Sequence, residues 1–143
     1  MQFMMIVKAG SDCEAGNKPS AEVTAVVGKY TQELRKAGAL VELSRLHPSS
    51  KGARVKLSGG GQIVTDGPFA ETKELIGGYW VIRAESMKEA VEWAKRVPPP
   101  GGREAEIEIR QFLEVEDFVP GEFVDGIQAH PGKELSKAKK QSQ

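Results

Sequence analysis

The chain has a single cysteine, Cys13, in 143 residues, which excludes an intramolecular disulfide and makes a reducing compartment its natural setting. Two histidines are present, His47 and His130, and with Cys13 they lie far apart without ligand spacing, so no structural metal is expected. Charge of neither sign is in excess: 20 Lys and Arg stand against 20 Asp and Glu. A nucleic-acid partner would require a positive surplus, so direct nucleic-acid binding is not expected. The one local surplus is residues 133–143, with four lysines against one glutamate, which reads as a solvated tail. Long apolar runs are missing too. No stretch approaches the ~20 apolar residues that span a bilayer. The opening MQFMMIVKAG lacks the basic region and the length of a secretory signal. A cytoplasmic protein without membrane contact is expected. What remains is 39% hydrophobic and 28% charged residues, an ordinary globular mixture with enough chain for one real core.

Residues 2–9 (QFMMIVKA) are apolar at both alternating sets of positions, as in a strand covered on both faces. After the polar loop SDCEAGNKPS, the residues Val23, Val26, Val27, Tyr30, Leu34 and Ala37 recur at helical spacing, with Ser20 at the start and Gly38 at the end. ALVELSRL (39–46) reads as a strand closed by His47-Pro48. ARVKLS (53–58) and QIVT (62–65) flank Gly59-Gly60-Gly61 and predict a β-hairpin. A phosphate cradle would need a helix after those glycines, and a β-branched run follows instead. GGYWVIRA (77–84) is a further strand. Ser86-x-x-Glu89 opens a helix as a capping box, with Met87, Ala90, Val91, Ala94 and Val97 inward. Pro98-Pro99-Pro100-Gly101-Gly102 ends it, and EAEIEIRQF (104–112) alternates with Ile107 and Ile109 inward.

The order is an α+β, ferredoxin-like βαββαβ unit with one inserted hairpin, over residues 1–118, followed by an arm and basic tail at 119–143. Both helices cover one sheet face. Met4, Ile6, Trp80 and Ile82 are assigned to the other, and that apolar surface predicts a homodimer packed through the sheet face.

Chemistry-bearing residues are few. Asp66 lies in TDGPF beside Gly67 and Pro68, where an aspartate either accepts hydrogen bonds from the following amides or holds a carboxylate for acid–base work. His47 at a strand end is the second catalytic candidate. Tyr79, Arg83 and Arg45 are candidates for holding an anionic or aromatic substrate. Glu71, Thr72 and Lys73 form a charged turn, and Cys13 has no visible activating group.

The run Asp66-Gly67-Pro68-Phe69-Ala70-Glu71-Thr72-Lys73-Glu74, followed by Gly77-Gly78-Tyr79-Trp80, resembles the YCII-related, DGPF-domain family. FMMIVKA, SAEVTAVVGKYTQELRKAGAL, SMKEAVEWAKRVP, EIEIRQF and LEVEDF carry the likeness over roughly residues 1 to 118. The resemblance implies a dimeric α+β barrel, two ferredoxin-like units packed sheet to sheet. The wider superfamily includes cofactor-free monooxygenases, isomerases, dehydrochlorinases and haem enzymes, and some relatives occur linked to RNA polymerase sigma factors. Some YCII-type relatives use a His and an Asp together, the His soon after the first strand; here Asp12 and Cys13 occupy that region. Two functional expectations follow. One is a small cofactor-independent enzyme acting on an aromatic or carboxylate metabolite, with Asp66 as acid or base. The other is a non-catalytic ligand-binding or regulatory module, connected through the resemblance with sigma-factor-dependent transcription.

Overall fold

The computed structural model describes residues 1–99 and 104–117. The chain divides into two units, Met1–Gln111 and Phe112–Gln143. In the first, the elements run β1 (Gln2–Lys8), α1 (Ser11–Glu14), α2 (Ala21–Lys36), β2 (Leu40–Arg45), β3 (Ala53–Ser58), β4 (Gly61–Asp66), β5 (Ile76–Arg83), α3 (Met87–Lys95) and β6 (Ile107–Gln111). In the second, Val115–Asp117 form a 3-10 turn whose entry is tied by the Glu114 N–H donating to the Asp117 carboxylate at 2.8 Å. The arm and tail expected over 119–143 lie outside the described residues.

Four strands form one sheet in the order β2-β5-β1-β6, every neighbouring pair antiparallel. With the hairpin set aside, that is the spatial order of a ferredoxin-like βαββαβ unit, as the sequence pattern predicted. Among the described residues β3 and β4 pair only with each other, with Ser58 opposite Gly61 and a two-residue Gly59-Gly60 loop between them. The glycine triplet is therefore a hairpin tip.

α2 starts where Ser20 Oγ accepts the Val23 N–H at 3.2 Å, and it ends ahead of Gly38, whose φ of +70° suits only glycine well. α3 starts with Ser86 Oγ accepting the Glu89 N–H at 3.1 Å. The Glu89 carboxylate reaches back to the Glu85 N–H at 2.7 Å, one residue before the position a capping box uses. The polar loop after β1 contains an unexpected short helix, α1, because Gly10 enters it extended and Gly16 leaves it with φ +78°.

The core lies between the sheet and the helices: Phe3, Met5, Trp80 and Ile82 from the strands meet Tyr30 and Leu34 of α2 and Ala90 of α3. Tyr30 stands edge-on to Trp80 with centroids 5.6 Å apart, and its hydroxyl donates to the Trp93 carbonyl at 2.7 Å. This corrects the predicted facing of β5. Trp80 is paired with Met5 and Ile82 with Phe3, so both are core residues under the helices. The opposite, outer face instead carries Met4, Ile6, Tyr79 and Val81, the alternate positions of the same strands. Both alternating sets of β5 are apolar enough that composition alone could not choose between them.

The helix faces also shift. Tyr30, Thr31 and Leu34 are buried in α2, while Val26 and Ala37 are exposed, and Met87 of α3 is exposed rather than inward. A stripe read at three- and four-residue spacing is wider than the strip that two helices on one small sheet can cover. On the outer face Val81 is 1% exposed and Gln2 4%, so the middle of that face is less open than the dimer expectation assumed.

The register yields a direct test. Met5 is fully buried and Met4 only half-buried. Met5→Ala should cost about 2–5 kcal/mol in urea unfolding, and Met4→Ala distinctly less. Equal losses would place the wrong face of β1 under the helices.

Candidate functional site

β4 ends at Asp66, which pairs with Ala53 across the ribbon. The Gly67 N–H then donates to the Gly52 carbonyl at 2.9 Å, closing the root of the hairpin. At Gly67 the chain runs against the 3-10 turn Ser49–Lys51 so closely that a Cβ there would lie 1.7 Å from the Ser49 carbonyl oxygen. The requirement for glycine is one of space, since Gly67 has no positive φ. The Gly67-Pro68 peptide is cis. Next the Phe69 N–H donates to Ser49 Oγ at 3.0 Å, and the Arg54 guanidinium stacks 3.8 Å over the Phe69 ring.

Ser49 is in turn held from the other side. Its hydroxyl and its N–H donate to the two oxygens of the Glu14 carboxylate, at 2.6 and 3.0 Å. These bonds, the hydroxyl's first, keep the Glu14 carboxyl below its ordinary range against a smaller opposing effect of burial. Glu14, at the end of α1, thus fixes Ser49, and Ser49 fixes the Gly67–Phe69 turn.

Asp66 takes no part in this. It is exposed, and among the described residues its carboxylate has neither a hydrogen-bond nor an ion-pair partner. The expected Asp66-to-amide bonds of the turn are not formed, because the Gly67 amide is bonded to Gly52 and the Phe69 amide to Ser49, while Pro68 has none to give. Beyond the turn, Thr72–Glu74 form a short 3-10 helix with Glu71 at its N-cap. The neighbouring Glu71 carboxyl, first through hydrogen bonding and then through its charge, raises the Glu74 carboxyl above its ordinary range, with Arg54 and Lys8 near enough to oppose the shift.

The other candidates do not converge. His47 is exposed in the loop two residues before Ser49. Tyr79 and Arg83 share the outer sheet face, where the Tyr79 hydroxyl donates to Glu42 at 3.1 Å. Arg45, on the edge strand β2, pairs with Gly78, and a Cβ built on Gly78 would lie 3.7 Å from Arg45 Cγ. It therefore belongs to the helix-bearing side, away from Tyr79 and Arg83. Cys13 is half-buried beside the Gly77 backbone. The residues that sequence reasoning missed are Glu14 and Ser49, which meet across a separation of 35 positions that no local pattern marks.

Two expectations follow from the turn. Gly67→Ala must displace the Ser49 carbonyl, so it should cost about 1–3 kcal/mol or more by denaturant unfolding; a neutral result would mean that the contact is loose. The Glu14 latch is pH-sensitive. Because its folded-state carboxyl lies below the ordinary value of 4.5, its contribution is complete above that value and is lost as pH falls through the folded-state value. The stability advantage of the wild type over Glu14→Gln should therefore shrink steadily between about pH 6 and about pH 3. An advantage that grows on acidification would contradict the latch.

Among the described residues, no helix is long and apolar enough to cross a membrane. Comparison with known proteins places the chain more firmly than its chemistry does. A relative from Rhizobium meliloti (strain 1021), described as an uncharacterised protein, is 34% identical over 110 residues, covering 77% of this chain and 83% of its own length. The family model described as YCII-related domain matches residues 1–113, which contain every candidate discussed above except His130. The chain belongs to the YCII-related family.

Proposed function

We propose that this protein is a small cofactor-independent enzyme in which Asp66 transfers a proton to or from an aromatic or carboxylate metabolite. One observation carries the reading: the turn around Asp66 is built by Gly52, Ser49, Glu14, Gly67 and Phe69, and among the described residues the carboxylate is left unpartnered beside it. A carboxylate that stabilised the turn would accept amide hydrogen bonds, and this one accepts none among the described residues. A carboxylate held on a fixed backbone, with its lone pairs free, has the form that general acid–base catalysis uses once substrate excludes water from it. His47 is the candidate second group, and Tyr79 and Arg83 would join through a homodimer packed on the outer sheet face.

A second reading, a non-catalytic ligand-binding or regulatory module, is supported by the largely exposed apolar hairpin that carries Asp66. The two readings divide at one substitution. The protein is screened by ligand-observed NMR against small aromatic acids, hydroxy acids and keto acids, and hits are assayed for proton exchange or turnover with wild type and Asp66→Asn. Turnover should fall about 10²–10⁴-fold. Unfolding stability should change by no more than about 0.5 kcal/mol, because no partner is lost. Unchanged turnover together with a clear loss of stability would make Asp66 structural; ligand binding without any turnover would favour the module.

A further inference from the structure

Side chains on the helix-bearing face of the sheet fall into rows across the strands. In one row Leu43 lies opposite Trp80, and Trp80 opposite Met5. In the next row Arg45 lies opposite Gly78, and Gly78 opposite Val7. Two groups in these rows lack partners. Trp80 is only 5% exposed, and its indole N–H is buried without a hydrogen-bond acceptor among the described residues. Tyr30 stands against the indole ring, but its hydroxyl is turned to the Trp93 carbonyl. A buried donor left unmet is costly, and native structures seldom keep one. Arg45 is exposed and has neither an ion pair nor a hydrogen bond among the described residues. It sits on the diagonal to Trp80, about 7–8 Å away in an antiparallel pair and within reach of long and aromatic side chains. Gly78 stands beside both. A Cβ there would lie 2.8 Å from the Ser44 carbonyl oxygen, so the position between Arg45 and Val7 must stay without a side chain. The layer is open on this side: β2 is the outermost strand, and Leu43, although opposite Trp80, remains 38% exposed.

We propose that Arg45 and the Trp80 indole N–H form a binding site for a small aromatic monocarboxylate, entered from the β2 edge of the sheet. The ligand brings the negative charge that Arg45 lacks and the acceptor that Trp80 lacks. The two donors set the head group. The planar guanidinium fork matches a carboxylate, and one neutral N–H is enough for a remaining lone pair. A phosphate, with more oxygens and more charge, would call for further cations or a helix N-terminus, and these two rows supply neither. The surroundings set the body. Leu43 and Val7 flank the donors, and Val27 of α2 is half-buried against the same core. A flat ring suits the position over Gly78, where it would meet the Trp80 ring as Tyr30 does from its own side, with centroids 5.6 Å apart. The site lies on the opposite face from Tyr79 and Arg83, and it does not rest on the Asp66 reading.

Trp80 and Trp93 are the two tryptophans of the chain, so proton–nitrogen correlation spectra carry two indole signals, told apart with Trp93→Phe. Phenylacetate and indoleacetate are titrated into the full chain, with phenylacetamide as the uncharged control. The Trp80 indole N–H should move downfield and saturate with either acid, while the Trp93 signal stays nearly still. Arg45→Gln should weaken binding about 10–100-fold, because a charge-assisted hydrogen bond is lost. Arg45→Lys should weaken it less, since the charge remains and only the fork is lost. Arg45 is exposed, so both variants should keep the wild-type unfolding midpoint. Phenylacetamide should bind at least ~10-fold more weakly than phenylacetate. No saturable shift up to ~10 mM acid, a shift confined to Trp93, a dissociation constant unmoved by Arg45→Gln, or equal binding of acid and amide would each overturn the proposal. A nuclear Overhauser contact between the Trp80 indole proton and a long-lived water that persists at saturating acid would overturn it too, since water would then be the acceptor.

Discussion

Ser49 is the joint on which the candidate site depends, and it acts through geometry that leaves little room for variation. Its carbonyl oxygen occupies the space a side chain at Gly67 would need, its hydroxyl accepts from Phe69, and its hydroxyl and amide both donate to Glu14. Three segments far apart in sequence meet there: the end of α1, the 3-10 turn after β2, and the exit from the hairpin. A hydroxyl that donates to an ionised carboxylate forms one of the stronger protein hydrogen bonds, and here it aligns the same oxygen to receive the Phe69 amide. Without Glu14 the Ser49 hydroxyl would be free to turn. Without the Ser49 carbonyl pressed against it, Gly67 would have no need to be glycine.

The βαββαβ order was legible because each element carries its own local signal: the short apolar run of β1, alternation in β6, the Ser20 and Ser86 caps, Gly38, and the glycine-tipped hairpin. The facing of β5 was not. Tyr79, Trp80, Val81 and Ile82 are all apolar or aromatic, so the period of two has no contrast to report, and only pairing with Met5 and Phe3 settles which set meets the helices. The α2 stripe misled in a related way. Val26 and Val27 are chemically alike, yet the area of sheet available to the helix covers Val27 in part and leaves Val26 exposed. At the site, Asp66 was singled out by the motif around it, while Glu14 and Ser49, which determine where that motif sits, were invisible. Contacts at long sequence separation leave no periodic trace.

The TDGPF turn therefore divides its labour in a way its compact spelling hides. Gly67 is required by a neighbouring carbonyl, Pro68 has no amide to satisfy, and Phe69 is held by both its N–H and its ring. These three explain the shape of the turn completely. Asp66 is different in kind, since among the described residues no structural contact explains a charge at that position. Its place on the apolar face of the hairpin is also costly to close over, because a carboxylate beside Val64 and Val55 loses water whenever that face is covered. Whatever covers the face must therefore bring a hydrogen-bond donor or a cation to Asp66. Such a partner makes the carboxylate chemically distinct from an ordinary surface aspartate, and it arises only when the hairpin is engaged.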